Sequence, residues 1–346
     1  MTKPDVSNIA CPIPFAEYPT VMMAHGSGGR MMQRLIDDMF TVAFTDVQPN
    51  DSATLSIPQD KIAMTTDSFV VRPLFFPGGD IGTLAVNGTV NDLAMAGARP
   101  KYLSVSFILE EGLSMETLWQ VVCSMKNAAG AVDIKIVTGD TKVVERGHGD
   151  GLYINTTGIG IIEHEHVIAP EQVRIGDAVI LSGDIGRHGM AVMSSREGLS
   201  FEGDIKSDCT PLSLCVLDIL DAGLKPHCLR DVTRGGVAAV LGEIAGASKT
   251  QIEIKESAVP VKDTVRGACE ILGLDPLHIA NEGCFVAFVA AGEQDEVLHI
   301  MHGHNPLAAV IGTVSDGKSG IVTIETPIGG QRILDVPAGE LLPRIC

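Results

Sequence analysis

Two runs of alternating strand-like and helix-like patterns, separated by a polar segment, constrain the fold of this chain most strongly. In the first run, strand patterns rich in alternating or β-branched residues occur at 61–71, 101–109 and 152–162, with helical spacing between them. The polar segment EHEHVIAPEQVRIGD follows at 163–177, and strands and helices alternate again beyond it. This order predicts a chain of the α/β (α+β) class with two domains.

We place the first domain at residues 21–163 and the second at residues 172–325. Residues 1–20, which contain CPIP and no clear periodicity, are predicted to form an N-terminal extension. Residues 333–346 include two prolines and a glycine before the final cysteine, and this composition predicts a mobile tail.

The charge balance excludes one class of partner. The 346 residues include 25 Lys and Arg against 43 Asp and Glu, so the formal net charge is −18. A nucleic-acid-binding protein needs a basic face, so we expect no nucleic-acid partner. The acidic balance remains compatible with ATP, since carboxylates hold the Mg²⁺ that accompanies nucleotide phosphates.

The sequence predicts a cytoplasmic protein with no membrane attachment. It contains neither a run of 18 apolar residues nor a basic segment leading into an apolar one at its start. Its eight cysteines form no C-x-x-C pair, and most lie in apolar contexts, as expected for buried thiols in a reducing compartment.

A glycine-rich segment, HGSGGR at 25–30, precedes a helical pattern. Gly26, Gly28 and Gly29 have the arrangement in which backbone N–H groups bind phosphate at the start of a helix. The segment lacks the Gly-Lys-Ser/Thr of a Walker loop, and position 31 is Met, so G-x-G-x-x-G is not satisfied. A phosphate loop and a plain turn therefore both remain open.

Three aspartates share a local setting in the first domain. Asp67 in TTDSF, Asp92 in VNDLA and Asp140 in TGDTK each lie among small polar residues at the end of an apolar segment. Carboxylates that converge from such ends suit Mg²⁺ bound to a nucleotide. The alternative for each is a helix cap or a turn residue.

Three further charged residues are candidates. Asp231 in DVTRGGV is a fourth acid, contributed by the second domain, or a cap of the following helix. Glu282 in IANEG is a candidate general base or a solvated strand end. Lys142, two residues after Asp140, is positioned to balance phosphate charge, or is a surface lysine.

The end of the chain carries the most informative feature. The sequence PRIC places Cys346 on the final residue of the predicted tail. Fourteen residues span at most about 50 Å, enough for a thiol to travel between the surface and a cleft. The alternative is a terminal cysteine without a role.

Several motifs together resemble the HypE family of hydrogenase maturation factors, within the aminoimidazole ribonucleotide synthetase superfamily. The resemblance covers residues 22–346, and the terminal PRIC is its most specific element. The other matching segments are AHGSGG, the stretch from TTDSFVVRP to ARPKYLS, FILEEG, VTGDTKVVERG, LRDVTRGGV, VPVK and IANEG. The extension at residues 1–20 departs from the family pattern.

The resemblance implies a PurM-like architecture and an activity. It implies a homodimer whose first domains pair their sheets in a barrel, each with an α/β second domain. It implies that Cys346 accepts a carbamoyl group from the carbamoyltransferase HypF and that ATP drives its dehydration to a thiocyanate. The cyanide would then pass to iron on the HypC–HypD scaffold, for the [NiFe] hydrogenase centre.

The resemblance also implies roles for the candidates. The Gly26, Gly28 and Gly29 loop would bind Mg-ATP. Four acids would also bind Mg-ATP, namely Asp67, Asp92, Asp140 and Asp231. Of these, Asp67, Asp92 and Asp140 would bind the metal. Glu282 and Lys142 would remove protons from the carbamoyl nitrogen on Cys346.

Two other readings remain open from the sequence. Another ATP enzyme of the superfamily is one, but selenophosphate synthetase needs a reactive Cys and Lys in the glycine-rich segment, which has neither. Thiamine-phosphate kinase has no use for a terminal thiol. The other reading is a non-catalytic carrier that presents Cys346 to other proteins without hydrolysing ATP.

Overall fold

The computed structural model describes residues 19–26, 34–44, 61–198, 205–335, 342 and 345–346. Within them the chain forms a four-stranded and a seven-stranded sheet, each covered by helices. The predicted α/β (α+β) class is confirmed. Gly28, Gly29 and most of the predicted extension lie outside the described residues.

The first sheet has the strand order β1-β6-β4-β5. Strands β4 and β5 are parallel, and the other neighbours are antiparallel. Helices α1 and α2 pack on one face, and a short hairpin, β2-β3, precedes α1. The elements are β1 (Lys61–Phe69), β2 (Phe75–Phe76), β3 (Gly79–Asp80), α1 (Ile81–Met95), β4 (Ala98–Glu110), α2 (Met115–Ala131), β5 (Lys135–Val144) and β6 (Leu152–Ile162).

Helix α1 is the central element of the first domain and is buried along nearly its whole length. It begins where the Asp80 carboxylate accepts hydrogen bonds from the N–H groups of Gly82 and Thr83, at 2.8 and 3.1 Å. Such a cap satisfies donors that the first helical turn leaves unpaired. An apolar helix with a polar start can therefore lie between a sheet and a second domain.

The second sheet is mixed, with the strand order β13-β12-β9-β11-β7-β10-β8. Helix α5 packs with one apolar cluster, and helices α4 and α7 pack with another. The elements are β7 (Ala178–Leu181), α3 (Arg187–Glu197), α4 (Ser213–Asp221), β8 (Cys228–Asp231), α5 (Gly236–Ser248), β9 (Gln251–Lys255), α6 (Asp263–Leu272), β10 (Phe285–Val289), α7 (Gln294–His304), β11 (Ala309–Ser315), β12 (Ile321–Glu325) and β13 (Gln331–Ile333).

Short helical segments lie before the first sheet. Met23–Gly26 is a 3₁₀ helix that packs near β5, so Gly26 lies at that edge of the sheet. Ile36–Phe40 and Thr41–Ala43 follow, with Met39 and Phe40 in the core. None of the helices in the described part of the chain combines the length and apolarity needed to cross a bilayer.

The described part of the predicted tail packs against the protein. Ile333 ends β13, and Leu334 is buried in the second domain. Leu342 and Ile345 are each 6% exposed. They belong to the apolar cluster that includes the core of the first domain. This is a docked position of the tail, and its predicted movement stays a prediction.

The two domains are joined through a buried amide on α1. Asn91 Oδ1 accepts from the Leu212 N–H at 2.7 Å, and its Nδ2 donates to the Thr210 carbonyl at 3.2 Å. A second donation reaches the Glu282 carbonyl at 3.4 Å. These bonds fix the loop before α4 and the segment before β10 against α1.

We expect Asn91→Ala to lower the free energy of unfolding by about 2–4 kcal/mol, because it leaves buried backbone groups without partners. Asn155→Ala is the matched control. Its amide bonds the Asp67 carbonyl and Ser68 at a half-buried position, where water can replace it, and we expect a loss below about 1 kcal/mol. Urea unfolding of both variants measures the difference, and equal losses would contradict the bridging role.

Candidate functional site

A cavity of about 260 Å³ lies where the two domains and the end of the chain meet. The first domain contributes β1 and α1, and the second contributes the end of β8, the loop after it, helix α5 and the segment before β10. Its lining residues are Asp67, Phe69, Gly88, Asp92, Arg230, Asp231, Thr233, Arg234, Val240, Glu243, Glu282 and Cys346.

The carboxyl groups reach the cavity from the ends of strands and from α1. Asp67 lies near the end of β1 and shares a hydrogen bond with Asp92 of α1. The Thr65 hydroxyl fixes Asp92 by donating to its Oδ2 at 2.6 Å. Asp231 ends β8, and its partner in the antiparallel pairing, Phe285, begins β10. Glu282 stands three residues before Phe285, so strand pairing brings both acids of the second domain to the same edge.

Burial and mutual repulsion raise the pKa of Asp67, Asp231 and Glu282. Burial and the charge of Asp92 raise the pKa of Asp67 to about 6. Burial, followed by the charge of Asp92, raises the pKa of Asp231 to about 7. Burial, with Asp231 as the largest charge, raises the pKa of Glu282 well above its ordinary value. The site therefore favours bound protons or cations near neutral pH.

Arg234 supplies a positive charge to this cluster. A hydrogen bond to Cys346 and the charge of Cys346 raise the pKa of the guanidinium, and the charges of Asp67 and Glu282 add to the effect. Arg234 thus links the terminal residue to the acids of both domains. It is a site residue that our sequence analysis missed, although it lies inside the motif DVTRGGV.

Two glycines shape the turn that follows Arg234. Gly235 and Gly236 have φ of +74° and +64°, values that glycine adopts without strain. A Cβ on Gly236 would lie 2.5 Å from the Leu277 carbonyl oxygen. The turn from β8 into α5 therefore requires glycine at that position, and Arg234 stands at its entrance.

Asp140 and Lys142 are not brought into this cavity. Both lie on β5, the edge strand farthest from β1. Asp140 is opposite Ser106, which is opposite Asn155, which is opposite Ser68. Residues that face each other across strands share a face, so Asp140 points to the side opposite Asp67. Both side chains are exposed on that face, about 14 Å of sheet width from β1.

The structure therefore does not assemble the predicted metal set of Asp67, Asp92 and Asp140 within one chain. Among the described residues, no three His, Cys, Asp or Glu side chains converge closely enough to hold a metal ion alone. Mg²⁺ bound to a nucleotide takes much of its coordination from phosphate and water. Asp67, Asp92 and Asp231 still fit as partial ligands, because all three are carboxyl groups that line the same cavity.

Of the predicted glycine loop only Gly26 is described, and it lies beside β5 rather than at the cavity.

Comparisons with known proteins identify what this chain is similar to. The AIR synthase related protein N-terminal domain matches residues 49–162, and the C-terminal domain of the same family matches residues 174–325. Carbamoyl dehydratase HypE of Azotobacter vinelandii is 49% identical over 332 residues, which cover 94% of this chain and 97% of that protein.

Two solved structures are similar in fold and sequence. The hydrogenase maturation protein HypE in complex with ATP has a TM-score of 0.91 and 46% identity, covering 94% of this chain and all of that one. A chain of a HypE–HypF complex has a TM-score of 0.77 and 49% identity, covering 80% of this chain and 90% of that one.

The raised pKa of Asp231 has a consequence for stability. The folded chain keeps this carboxyl protonated up to about pH 7, whereas its ordinary pKa is 3.8. Between those values the folded state binds more protons, so the free energy of unfolding falls as pH rises through this range. Asp231→Asn removes this loss, and we expect it to stabilise the protein at pH 8 by up to about 4 kcal/mol.

Urea unfolding of the metal-free protein between pH 5 and 8 measures the effect. The advantage of Asp231→Asn should grow with pH, while the exposed control Asp316→Asn should match the wild type throughout. A constant advantage, or a loss of stability at pH 8, would contradict the buried-charge account.

Proposed function

Because the chain belongs to the AIR synthase related family and, within it, to the carbamoyl dehydratase HypE family, we propose that it dehydrates a carbamoyl group carried on its own Cys346. The product is a thiocyanate on the same sulfur. The observation that carries this proposal is the position of Cys346, which lines the acidic cavity beside Arg234 and Glu282. A thiol outside the cavity would favour a carrier.

The chemistry requires that oxygen leave carbon while nitrogen loses two protons. In the carbamoyl thioester, S–C(=O)–NH₂, oxygen is a poor leaving group. Transfer of the γ-phosphoryl group of ATP to that oxygen gives ADP and makes the oxygen leave as phosphate. Loss of both N–H protons completes S–C≡N, so the balance is carbamoyl thioester and ATP to thiocyanate, ADP, phosphate and a proton.

Glu282 is our candidate base for the carbamoyl nitrogen. It is only 4% exposed, and a buried carboxylate with a raised pKa is a stronger proton acceptor than one in water. The positive charge of Arg234 favours its ionised form. Arg234 is hydrogen-bonded to Cys346, and this bond would orient an attached carbamoyl group toward the base.

Asp67, Asp92 and Asp231 are our candidates to hold Mg-ATP. Mg²⁺ would neutralise the carboxyl groups and the phosphates together. The relative whose structure contains ATP supports the nucleotide as co-substrate.

The outer face of the first sheet supports a homodimer. It carries Ile62, Met64 and Ile108, exposed by 47%, 70% and 43%. Apolar side chains together on one sheet face mark an interaction surface. Asp140 and Lys142 lie on this same face. We therefore propose that the faces pair, and that Asp140 and Lys142 contribute to Mg-ATP binding and proton removal only in the assembled dimer.

Two protein partners complete the proposal. The HypE–HypF complex supports HypF as the source of the carbamoyl group. The HypC–HypD scaffold is proposed to take the cyanide for its iron. We place these steps in the cytoplasm, where a terminal thiol stays reduced.

Intact mass spectrometry tests the activity. After loading by the carbamoyltransferase, we expect one carbamoyl adduct, which loses the mass of one water only when Mg-ATP is added. Cys346→Ala should acquire no adduct. An adduct that Mg-ATP leaves unchanged would indicate a carrier, and no adduct with an active transferase would reject the proposal.

Glu282→Gln separates loading from dehydration. We expect this variant to acquire the adduct normally but to lose water at least about 100-fold more slowly, because it lacks the base. Glu296→Gln, an exposed change on α7, should behave as the wild type. Dehydration at the wild-type rate in Glu282→Gln would remove Glu282 from the mechanism.

A further inference from the structure

A buried histidine on α3 holds the last residues of the chain. His188 is fully buried, and its Nε2 lies 2.6 Å from the carbonyl oxygen of Ile345, the residue before Cys346. Its Nδ1 lies 2.9 Å from the Ser207 hydroxyl. No step of the proposed chemistry uses this side chain, although it binds the residue adjacent to the reacting thiol.

The partners of His188 fix where its proton lies. A carbonyl oxygen only accepts, so Nε2 donates to Ile345. Burial lowers the pKa of His188 to about 4, so the ring is neutral near pH 7 and Nδ1 accepts from the Ser207 hydroxyl. The Ser207 oxygen in turn accepts from the Cys209 N–H at 3.0 Å. This chain of bonds selects the tautomer that can bind the tail.

Apolar contacts complete the docking site. The ring of Phe76 meets that of His188 edge to face, with centroids 5.4 Å apart. Leu342 lies against α3, where a Cβ on Gly189 would approach its Cδ1 to 3.1 Å. Leu342 and Ile345 are thus apolar anchors of the tail. The bond from His188 to the Ile345 carbonyl adds a polar contact beside the one between Arg234 and Cys346.

We propose that His188 is a positioning residue, which binds the Ile345 carbonyl and so retains Cys346 in the cavity, and that Ser207 acts through His188. The effect of this positioning on catalysis rests on the proposed function. Loading by a separate transferase needs the thiol outside, whereas dehydration needs it inside. The His188 bond adds to the Arg234 contact and the apolar anchors in favouring the docked state, and its ordinary strength leaves release of the thiol possible.

Alkylation of Cys346 tests the docking independently of any carbamoyl chemistry. Iodoacetamide is the probe, and the mass of the C-terminal peptide reports the rate. His188→Phe keeps an aromatic ring but removes the donor, and we expect alkylation to become about tenfold faster, as for loss of one buried hydrogen bond.

Conservative changes distinguish positioning from folding. His188→Gln retains a donor that reaches the carbonyl and should restore a rate near that of the wild type. Ser207→Ala removes the hydroxyl that selects the His188 tautomer. We expect its alkylation rate to fall between those of the wild type and His188→Phe. Ser194→Ala is the control, since this hydroxyl on the same helix donates to the Ala191 carbonyl within the helix. Equal alkylation rates in all variants would overturn the proposal.

The two half-reactions give a second readout. Loading of His188→Phe should equal or exceed that of the wild type, while its single-turnover dehydration slows and His188→Gln recovers it. A parallel fall in both steps, without recovery, would show a merely structural role and overturn the proposal. If no variant or wild type dehydrates the adduct but alkylation changes as expected, the positioning role stands and the proposed function fails.

Discussion

Carboxyl groups from both domains crowd together at the cavity where the domains meet. Removing Asp67, Asp231 and Glu282 from water, close to one another, opposes folding unless protons or cations offset their charge. The fold supports this arrangement through α1, whose Asn91 bonds fix the second domain to the first. The same repulsion raises the pKa of these acids and so favours the binding of protons in the cavity.

The end of the chain complements that cluster. Arg234 interacts with the acids and with Cys346. The residue that would carry the substrate therefore lies beside a positive charge and a candidate base. Attachment through the thiol makes the reaction intramolecular, and a covalently tethered substrate needs no binding energy of its own. The contacts of Leu342 and Ile345 stabilise the docked tail and so set the residence time of the thiol in the cavity.

The sequence predicted the fold class because strand and helix periodicities are local. It also singled out Asp67, Asp92, Asp231, Glu282 and Cys346, which lie in one cavity, while their roles stay predictions. Asp140 has the same local context as Asp67, but strand register places it on the other sheet face, and local patterns do not encode that register. His188 was missed because its partner lies 157 residues away along the chain.

The central claim is that the Cys346 thiol reacts in the cavity of its own chain, and mixing two variants tests it most directly. Glu282→Gln, loaded with the carbamoyl group, is mixed with Cys346→Ala, which retains Glu282, in the presence of Mg-ATP. We expect the loaded chain to lose water no faster than Glu282→Gln alone at every mixing ratio. Loss of water at a rate near that of the wild type would show that a second copy supplies the base, so that the thiol does not react in the cavity of its own chain.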